Sequence, residues 1–254
     1  MRNLLFKIAY KGTRYHGYQI QQNAVTIAEM IHRAQEELLG KRVDIIGCSR
    51  TDTGVHANEY YFNMLTDSKI LPEKFILGFN RFLPEDIAVL ECREMPIEFH
   101  ARYHSQGKEY IYKIWNSPRP NPFMQDLALH HMRPIDVEML NEQAKALIGT
   151  HDFKCFCARK ADVEDTTRTI FDAEFTRQGD LVEFKISGDG FLYNMVRIIV
   201  GTLLQINDGQ LPKDSICDII KGKDRKKAGK TALAHGLYLN RVFYDSKWED
   251  KDGE

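Results

Sequence analysis

Two alternating runs, Phe171 to Thr176 and Leu181 to Ser187, are separated only by Arg177-Gln178-Gly179-Asp180. Parallel strands need a crossover of about a dozen residues or more, so so short a link folds back as an antiparallel hairpin. The same alternation returns along the chain. Leu4 to Tyr10 reads as a strand, residues 42–48 and 57–65 as strands around a charged loop, and Ile87 to Cys92 as another. Tyr110-Ile111-Tyr112-Lys113-Ile114-Trp115 is a strand, and Gly236 to Tyr244 is the last.

Helical spacing interrupts these runs. Thr26 and Glu29 form a capping-box pattern ahead of Ile27, Met30, Ile31, Ala34 and Leu38, and Gly40 stops that helix. Pro72 opens a helix over 72–82, and another over 136–148 ends near Gly149. Residues 191–205 form the most apolar helix, and a short one covers 213–221. Ser117-Pro118-Arg119-Pro120-Asn121-Pro122 marks an exposed crossing segment. Hairpins outnumber βαβ units, which argues an α+β fold with a mostly antiparallel sheet. Sheet plus helix recurs in both halves, but the internal repeat is too faint to assert.

A chain of 254 residues fits one large domain or two intimately packed halves, and 43% hydrophobic residues supply a substantial core. The five cysteines are scattered and odd in number, which argues against a disulfide framework and for a reducing cytoplasm. No stretch approaches the ~20 apolar residues of a membrane span. The apolar run in Met1-Arg2-Asn3-Leu4-Leu5-Phe6-Lys7 is too short for a secretory signal. Net charge is −1, so charge as a whole does not advertise nucleic acid. Residues 221–230 nevertheless hold six cationic side chains against one acid, either a solvated loop or a phosphate-binding stripe. The acidic tail Trp248 to Glu254 is expected to fray.

The stretch Gly47-Cys48-Ser49-Arg50-Thr51-Asp52-Thr53-Gly54-Val55-His56-Ala57 packs an arginine, an aspartate and a histidine between two strands. It is either a polar turn closed by a local Arg50–Asp52 pair or a shaped loop presenting a carboxylate at a surface. No Gly-x-x-x-x-Gly-Lys-[Ser/Thr] loop is present, and no Gly-x-Gly-x-x-Gly follows a strand. Cys155, Cys157 and His151 suggest zinc, but no second close ligand pair accompanies them, and core packing ranks ahead. His130-His131 reads as a strand or loop pair, and nothing near Cys48 marks it as a nucleophile.

Two further segments stand out. Phe99-His100-Ala101-Arg102-Tyr103, then Lys108-Glu109-Tyr110, mix cations and aromatics at the entry to a strand, suited to base stacking and phosphate contact or to covering a core edge. In Gly188 to Arg197, Phe191, Met195 and Ile198 or Ile199 share one helical face, which puts Arg197 in an apolar helix. An unpaired guanidinium there is costly, so it either snorkels to solvent or meets an anion such as Asp52.

Arg50-Thr51-Asp52-Thr53-Gly54-Val55-His56-Ala57 resembles the signature of the tRNA pseudouridine synthase A family. Tyr10 to Gln19 resembles its first motif, Phe99 to Arg102 with Lys108-Glu109-Tyr110 its central motif, Phe191 to Arg197 its helix motif, and Ala228 to Leu239 its C-terminal motif. The departures are Tyr18 where the family usually has Trp, Ser49 for Gly, Thr53 for Ala and Lys11 for Asp; none touches the carboxylate.

The resemblance implies the pseudouridine synthase fold: a mostly antiparallel sheet through two subdomains, flanking helices and a central cleft. An N-terminal subdomain, 1–105, would carry the aspartate loop, and a C-terminal one, 106–254, the tyrosine strand and arginine helix. It implies isomerisation of uridine to pseudouridine in the tRNA anticodon stem-loop, at tRNA positions 38 to 40, without metal or cofactor, by a cytoplasmic homodimer. Asp52 becomes the essential carboxylate, attacking C1′ or removing the 2′ proton. Tyr110 would stack on the target base, Arg50 hold the extruded nucleotide, and Arg197 pair with Asp52; Thr51 and His56 would shape the loop. The alternatives are a paralogue with other RNA targets and a non-catalytic RNA-binding protein on the same fold. A nuclease or glycosidase would need a second carboxylate, and Glu59, the only close acid, alternates onto a strand face.

Overall fold

In the computed structural model, residues 1–158 and 164–248 are described; the end of the acidic tail lies outside them. The strands are β1 (Arg2–Tyr10), β2 (Ile45–Gly47), β3 (His56–Thr66), β4 (Ile87–Met95), β5 (Ser105–Asn116), β6 (Leu129–His131), β7 (Gly149–Asp152), β8 (Thr167–Gln178), β9 (Leu181–Gly188) and β10 (Leu237–Tyr244). The helices are α1 (Ile27–Leu39), α2 (Pro72–Phe82), α3 (Val137–Ala144), α4 (Met195–Asn207) and α5 (Ser215–Gly222). The α+β reading with mostly antiparallel pairing holds. Two compact units are present: Met1–Gln106 together with the chain from Tyr238, and Gly107–Leu237. Among the described residues, no helix is long and apolar enough to cross a membrane.

In the first unit the strand order is β4-β1-β3-β10. β1 is antiparallel to both neighbours, with Phe6 opposite Phe62 on β3 and Cys92 on β4. β10 joins parallel to β3 through Tyr238↔His56 and Leu239↔Ala57. Phe6 stacks on Phe62 at 4.8 Å and meets Phe75 and Phe79 of α2 edge-on at 5.8 and 5.2 Å, and all four rings are fully buried. Thr26 caps α1 through the Glu29 N–H, and Gly40 ends it at φ 68°. Only this half of the capping box is formed as expected: the Glu29 carboxylate takes Arg33 at 3.1 Å and Arg42 at 3.0 Å instead. The strand expected over 42–48 shortens to β2, because Gln35 Oε1 accepts the Val43 N–H at 3.3 Å. β2 still pairs antiparallel with β3, so the charged loop links paired strands.

The second unit runs β5-β9-β8-β7, with each pair in that order antiparallel, and β6 lies parallel to β5. The β8–β9 hairpin is tighter than expected. Gln178 pairs with Leu181, so the turn is Gly179-Asp180, with Gly179 at φ 60°. The helix expected over 191–205 begins at Met195. Asn194 sits at φ 60°, a left-handed conformation that asparagine tolerates, and this separates Phe191 from the helical face assigned to it. The expected helix over 136–148 stops at Ala144, continues as a 3₁₀ turn over Lys145–Leu147, and passes into β7 through Gly149 at φ 105°. Cys155 and Cys157 are buried with Phe153 and Phe156, and the His151 ring packs edge-on against Phe153 at 5.7 Å.

Candidate active site

The aspartate loop is positioned by the segment that follows β1. The Gly54 N–H donates to the Tyr15 carbonyl at 3.1 Å, and the Gly12 N–H donates to His56 Nδ1 at 2.9 Å. The Tyr10 hydroxyl bonds Thr51 Oγ1 at 2.9 Å. The Val55 N–H closes a turn onto the Asp52 carbonyl at 3.2 Å, with Gly54 at φ 79°. Two backbones meet here at a distance only glycine permits. A Cβ on Gly12 would fall 1.9 Å from the Val55 carbonyl oxygen, and one on Gly17 would fall 2.3 Å from that of Thr51.

The loop's other end rests on aromatics. Tyr60 donates to the Ser49 carbonyl at 2.6 Å, and Tyr18 stacks on Tyr60 at 4.3 Å. Burial raises the pKa of both phenols, so they serve as neutral packing groups. His56 is 1% exposed and stacks on Tyr238 at 4.6 Å. Its bond to Gly12 and that stack fit the expected loop-shaping role.

Within this scaffold Asp52 is half-buried and Arg50 is exposed. The Arg50 guanidinium forms no ion pair among the described residues, so the local Arg50–Asp52 pair is not what closes the turn. Glu59 lies on β3 and faces Lys7 at 3.8 Å, a strand-face role rather than that of a second acid in the loop.

The central motif leaves the first unit as an exposed corner. Asn3 and Asn63 are each 1% exposed and bind the Phe99 carbonyl and the Ala101 N–H at 2.8 and 2.9 Å. With the backbone held there, Arg102 and Tyr103 point to solvent, and Tyr103 stacks on His100 at 4.2 Å.

The second unit holds Tyr110 and Arg197. Tyr110 lies on β5 opposite Ile186, is 7% exposed, and meets the Phe191 ring edge-on at 5.1 Å. The break before α4 thus lets Phe191 buttress this tyrosine. Arg197 is half-buried on α4. Its Nε donates to the Ala232 carbonyl at 2.8 Å and its Nη1 to Asn194 Oδ1 at 2.7 Å. Beside it, the Tyr112 hydroxyl donates to the Leu233 carbonyl at 2.7 Å. Sequence reading did not foresee Ala232 or Asn194 as partners of this guanidinium. Asn194 was legible as the polar residue one turn before Arg197, whereas a backbone carbonyl leaves no residue-type signal.

The basic stretch 221–230 divides. Lys223 pairs with Asp152 at 2.8 Å, and Arg225 binds backbone carbonyls, while Lys221, Lys226, Lys227 and Lys230 are exposed. His130 and His131 lie in β6; His130 Nε2 meets the Ser117 carbonyl and His131 Nε2 meets Asp208. Among the described residues, no three His, Cys, Asp or Glu side chains converge as a metal site.

The sequence model of a family described as tRNA pseudouridine synthase matches residues 7–104 and 143–245. The "tRNA pseudouridine synthase A" of Acetivibrio thermocellus is 45% identical over 244 residues, 96% of this chain and 100% of that protein. The protein of the same name from Ruminiclostridium cellulolyticum is also 45% identical, with the same coverage. A "tRNA pseudouridine synthase A 2" from Clostridium tetani is 46% identical over 96% of this chain and 99% of its own.

Proposed function

The chain belongs to the tRNA pseudouridine synthase family, and from that premise we propose that it isomerises uridine to pseudouridine in the anticodon stem-loop of tRNA, at tRNA positions 38 to 40. The C1′–N1 bond breaks, the uracil turns, C5 bonds to C1′, and the proton lost from C5 is balanced by one gained at N1. Asp52 is the essential carboxylate, acting on C1′ or on the 2′ proton. The observation that carries this reading is the aspartate turn. Backbone contacts from Gly12 and Tyr15 shape it, and its arginine is exposed with no ion pair of its own among the described residues. In this reading the turn offers the Asp52 carboxylate to the ribose and leaves the exposed Arg50 to contact the RNA.

The target must leave its stack, at a cost of a few kcal/mol. In this reading Tyr110 stacks on the freed base, keeping it close enough for recombination to beat escape. Arg50 and Arg197 bind the extruded nucleotide, and the expected pairing of Asp52 with Arg197 belongs to the same proposal. Arg102, Tyr103 and the exposed lysines of 221–230 supply further RNA contacts. The enzyme acts in the cytoplasm as a homodimer, which extends the local basic surface that one chain of net charge −1 offers to a tRNA.

The test is pseudouridine mapping of tRNA from cells with and without the protein, repeated with Asp52→Ala. Loss of pseudouridine at positions 38 to 40 in both, with tRNA binding by the variant retained, is the expected result. Unchanged tRNA would move the substrate to another RNA, and an active Asp52→Ala enzyme would remove the carboxylate from its role. Sedimentation of the purified protein at micromolar concentration tests the dimer; a monomer mass would overturn that part.

A further inference from the structure

Arg225 binds no acid. Its Nη1 donates to the carbonyls of Gly229 at 2.9 Å and Ala228 at 3.3 Å, and its Nη2 to Thr231 Oγ1 at 3.3 Å. Among the described residues it forms no ion pair. Burial pushes the neighbouring Cys155 thiol up to about 12, so no thiolate balances the charge either. A half-buried guanidinium without a counter-ion is costly, and here three oxygens of one short segment compensate it.

That segment is bonded to α4 along its length. The Gly229 N–H donates to Thr202 Oγ1 at 2.8 Å, and the Lys230 N–H to Gln205 Oε1 at 3.2 Å. The Ala232 N–H donates to the Arg197 carbonyl at 3.0 Å, and Arg197 Nε returns a bond to the Ala232 carbonyl at 2.8 Å. The approach needs glycine on both sides. A Cβ on Gly201 would fall 1.8 Å from the Lys230 carbonyl oxygen, and one on Gly229 would fall 2.6 Å from Thr202 Cα.

We propose that Arg225 is a positioning residue for Arg197. By gathering the oxygens of residues 228–231, it holds the Ala232 carbonyl at the place where that carbonyl aims the Arg197 side chain. Any short-range packing of this segment would stabilise the unit. The arginine clamp adds direction, because its acceptors immediately precede the residue that receives Arg197 Nε. The inference rests on the reading of Arg197 as a nucleotide-binding residue for its consequence in catalysis, but not for its structural claim.

The two claims separate experimentally. In protein labelled with ¹⁵Nε-arginine, the Arg197 Nε–H signal is identified by its loss in Arg197→Lys. Its solvent exchange is then measured in wild type, Arg225→Gln, Arg225→Lys and Thr231→Val. Exchange about tenfold faster in Arg225→Gln, with a smaller rise in Thr231→Val, is expected when the Ala232 carbonyl loses its hold. In turnover assays kcat should fall about tenfold while KM for tRNA stays within about twofold, the split expected of a group acting at the reacting nucleotide. Unchanged Nε–H exchange in folded Arg225 variants overturns the proposal, whatever the activity. If neither Arg225 variant folds, Thr231→Val decides, and unchanged exchange there overturns it equally. Faster exchange in an enzyme inactive on tRNA even as wild type would support the clamp and refute the proposed function.

Discussion

Arg197 and Ala232 are hydrogen-bonded to each other twice: the alanine N–H meets the arginine carbonyl at 3.0 Å, and the arginine Nε meets the alanine carbonyl at 2.8 Å. The first bond fixes the loop to the helix, and the second uses the fixed loop to aim the side chain. A second partner, Asn194 Oδ1, holds Nη1 at 2.7 Å. The guanidinium is therefore held by its planar shape as well as its charge. Arg197→Lys keeps the charge and cannot make both bonds. It should lower kcat at least about tenfold while the thermal midpoint changes by only a few degrees, from about 1 kcal/mol or less of lost bonding. Wild-type turnover in Arg197→Lys would show that charge alone suffices.

Gly17→Ala tests the mould of the aspartate turn. Gly17 is at φ 82°, and an added methyl would sit 2.3 Å from the Thr51 carbonyl oxygen, one residue from Asp52. Left-handed strain alone is worth about 1–2 kcal/mol, and the collision requires the loop to shift as well. Activity should therefore fall further than stability. Comparison of kcat with the urea midpoint checks this, and a stable variant with full activity would show that the turn tolerates displacement.

Tyr110 separates stacking from proton transfer. Tyr110→Phe retains the ring beside Phe191, whereas Tyr110→Ala removes the proposed base platform and leaves a gap at a 7% exposed position. Stacking on an aromatic is worth about 1–3 kcal/mol per base, so Tyr110→Ala should weaken stem-loop binding by roughly tenfold or more, and Tyr110→Phe by little. Fluorescence titration of a labelled stem-loop measures both. A loss of kcat in Tyr110→Phe with unchanged binding would assign the hydroxyl a role in moving the C5 proton.

Asp152 confers an acid-sensitive tether on the second unit. Hydrogen bonds from Lys223 at 2.8 Å and from Thr166 lower its pKa to about 2. Because the folded value lies below the unfolded one of about 3.9, the contribution is fully present above that pH and is lost as pH falls toward 2. The pair is partly exposed, so screening keeps the effect small. Asp152→Asn should lower stability slightly at pH 7 and flatten the stability curve between about pH 4 and pH 2 relative to wild type. Parallel curves in denaturant titrations across that window would assign the tether no energetic role.

Much of the fold was legible because its signals are local. Alternation marked most of the strands, the Thr26 cap and Gly40 bounded α1, and Pro72 opened α2 at the expected residue. The short strand β7 was not foreseen, and most other errors fell at ends where a single residue competes with periodicity. Asn194 in the left-handed region delays α4, and Gln35 takes the N–H that would have extended β2. The candidate site was legible as a set of residue types. Asp52 and Arg50 stood out in one charged loop, Tyr110 in a strand entry that suited either base stacking or a core edge, and Arg197 in an apolar helix.

Local order, turn chemistry and the residue types offered by each loop follow from neighbours within a few residues, and the chain carries these openly. The environment of each side chain does not follow from neighbours. Folding left Arg50 without an ion pair among the described residues, although Asp52 is two residues away, and gave Arg197 a carbonyl 35 residues downstream. It also spent Arg225 on backbone oxygens rather than on solvent. Such partners arise from how elements pack, where glycine permits contacts that any side chain would block, and a backbone oxygen accepts a bond whatever residue carries it.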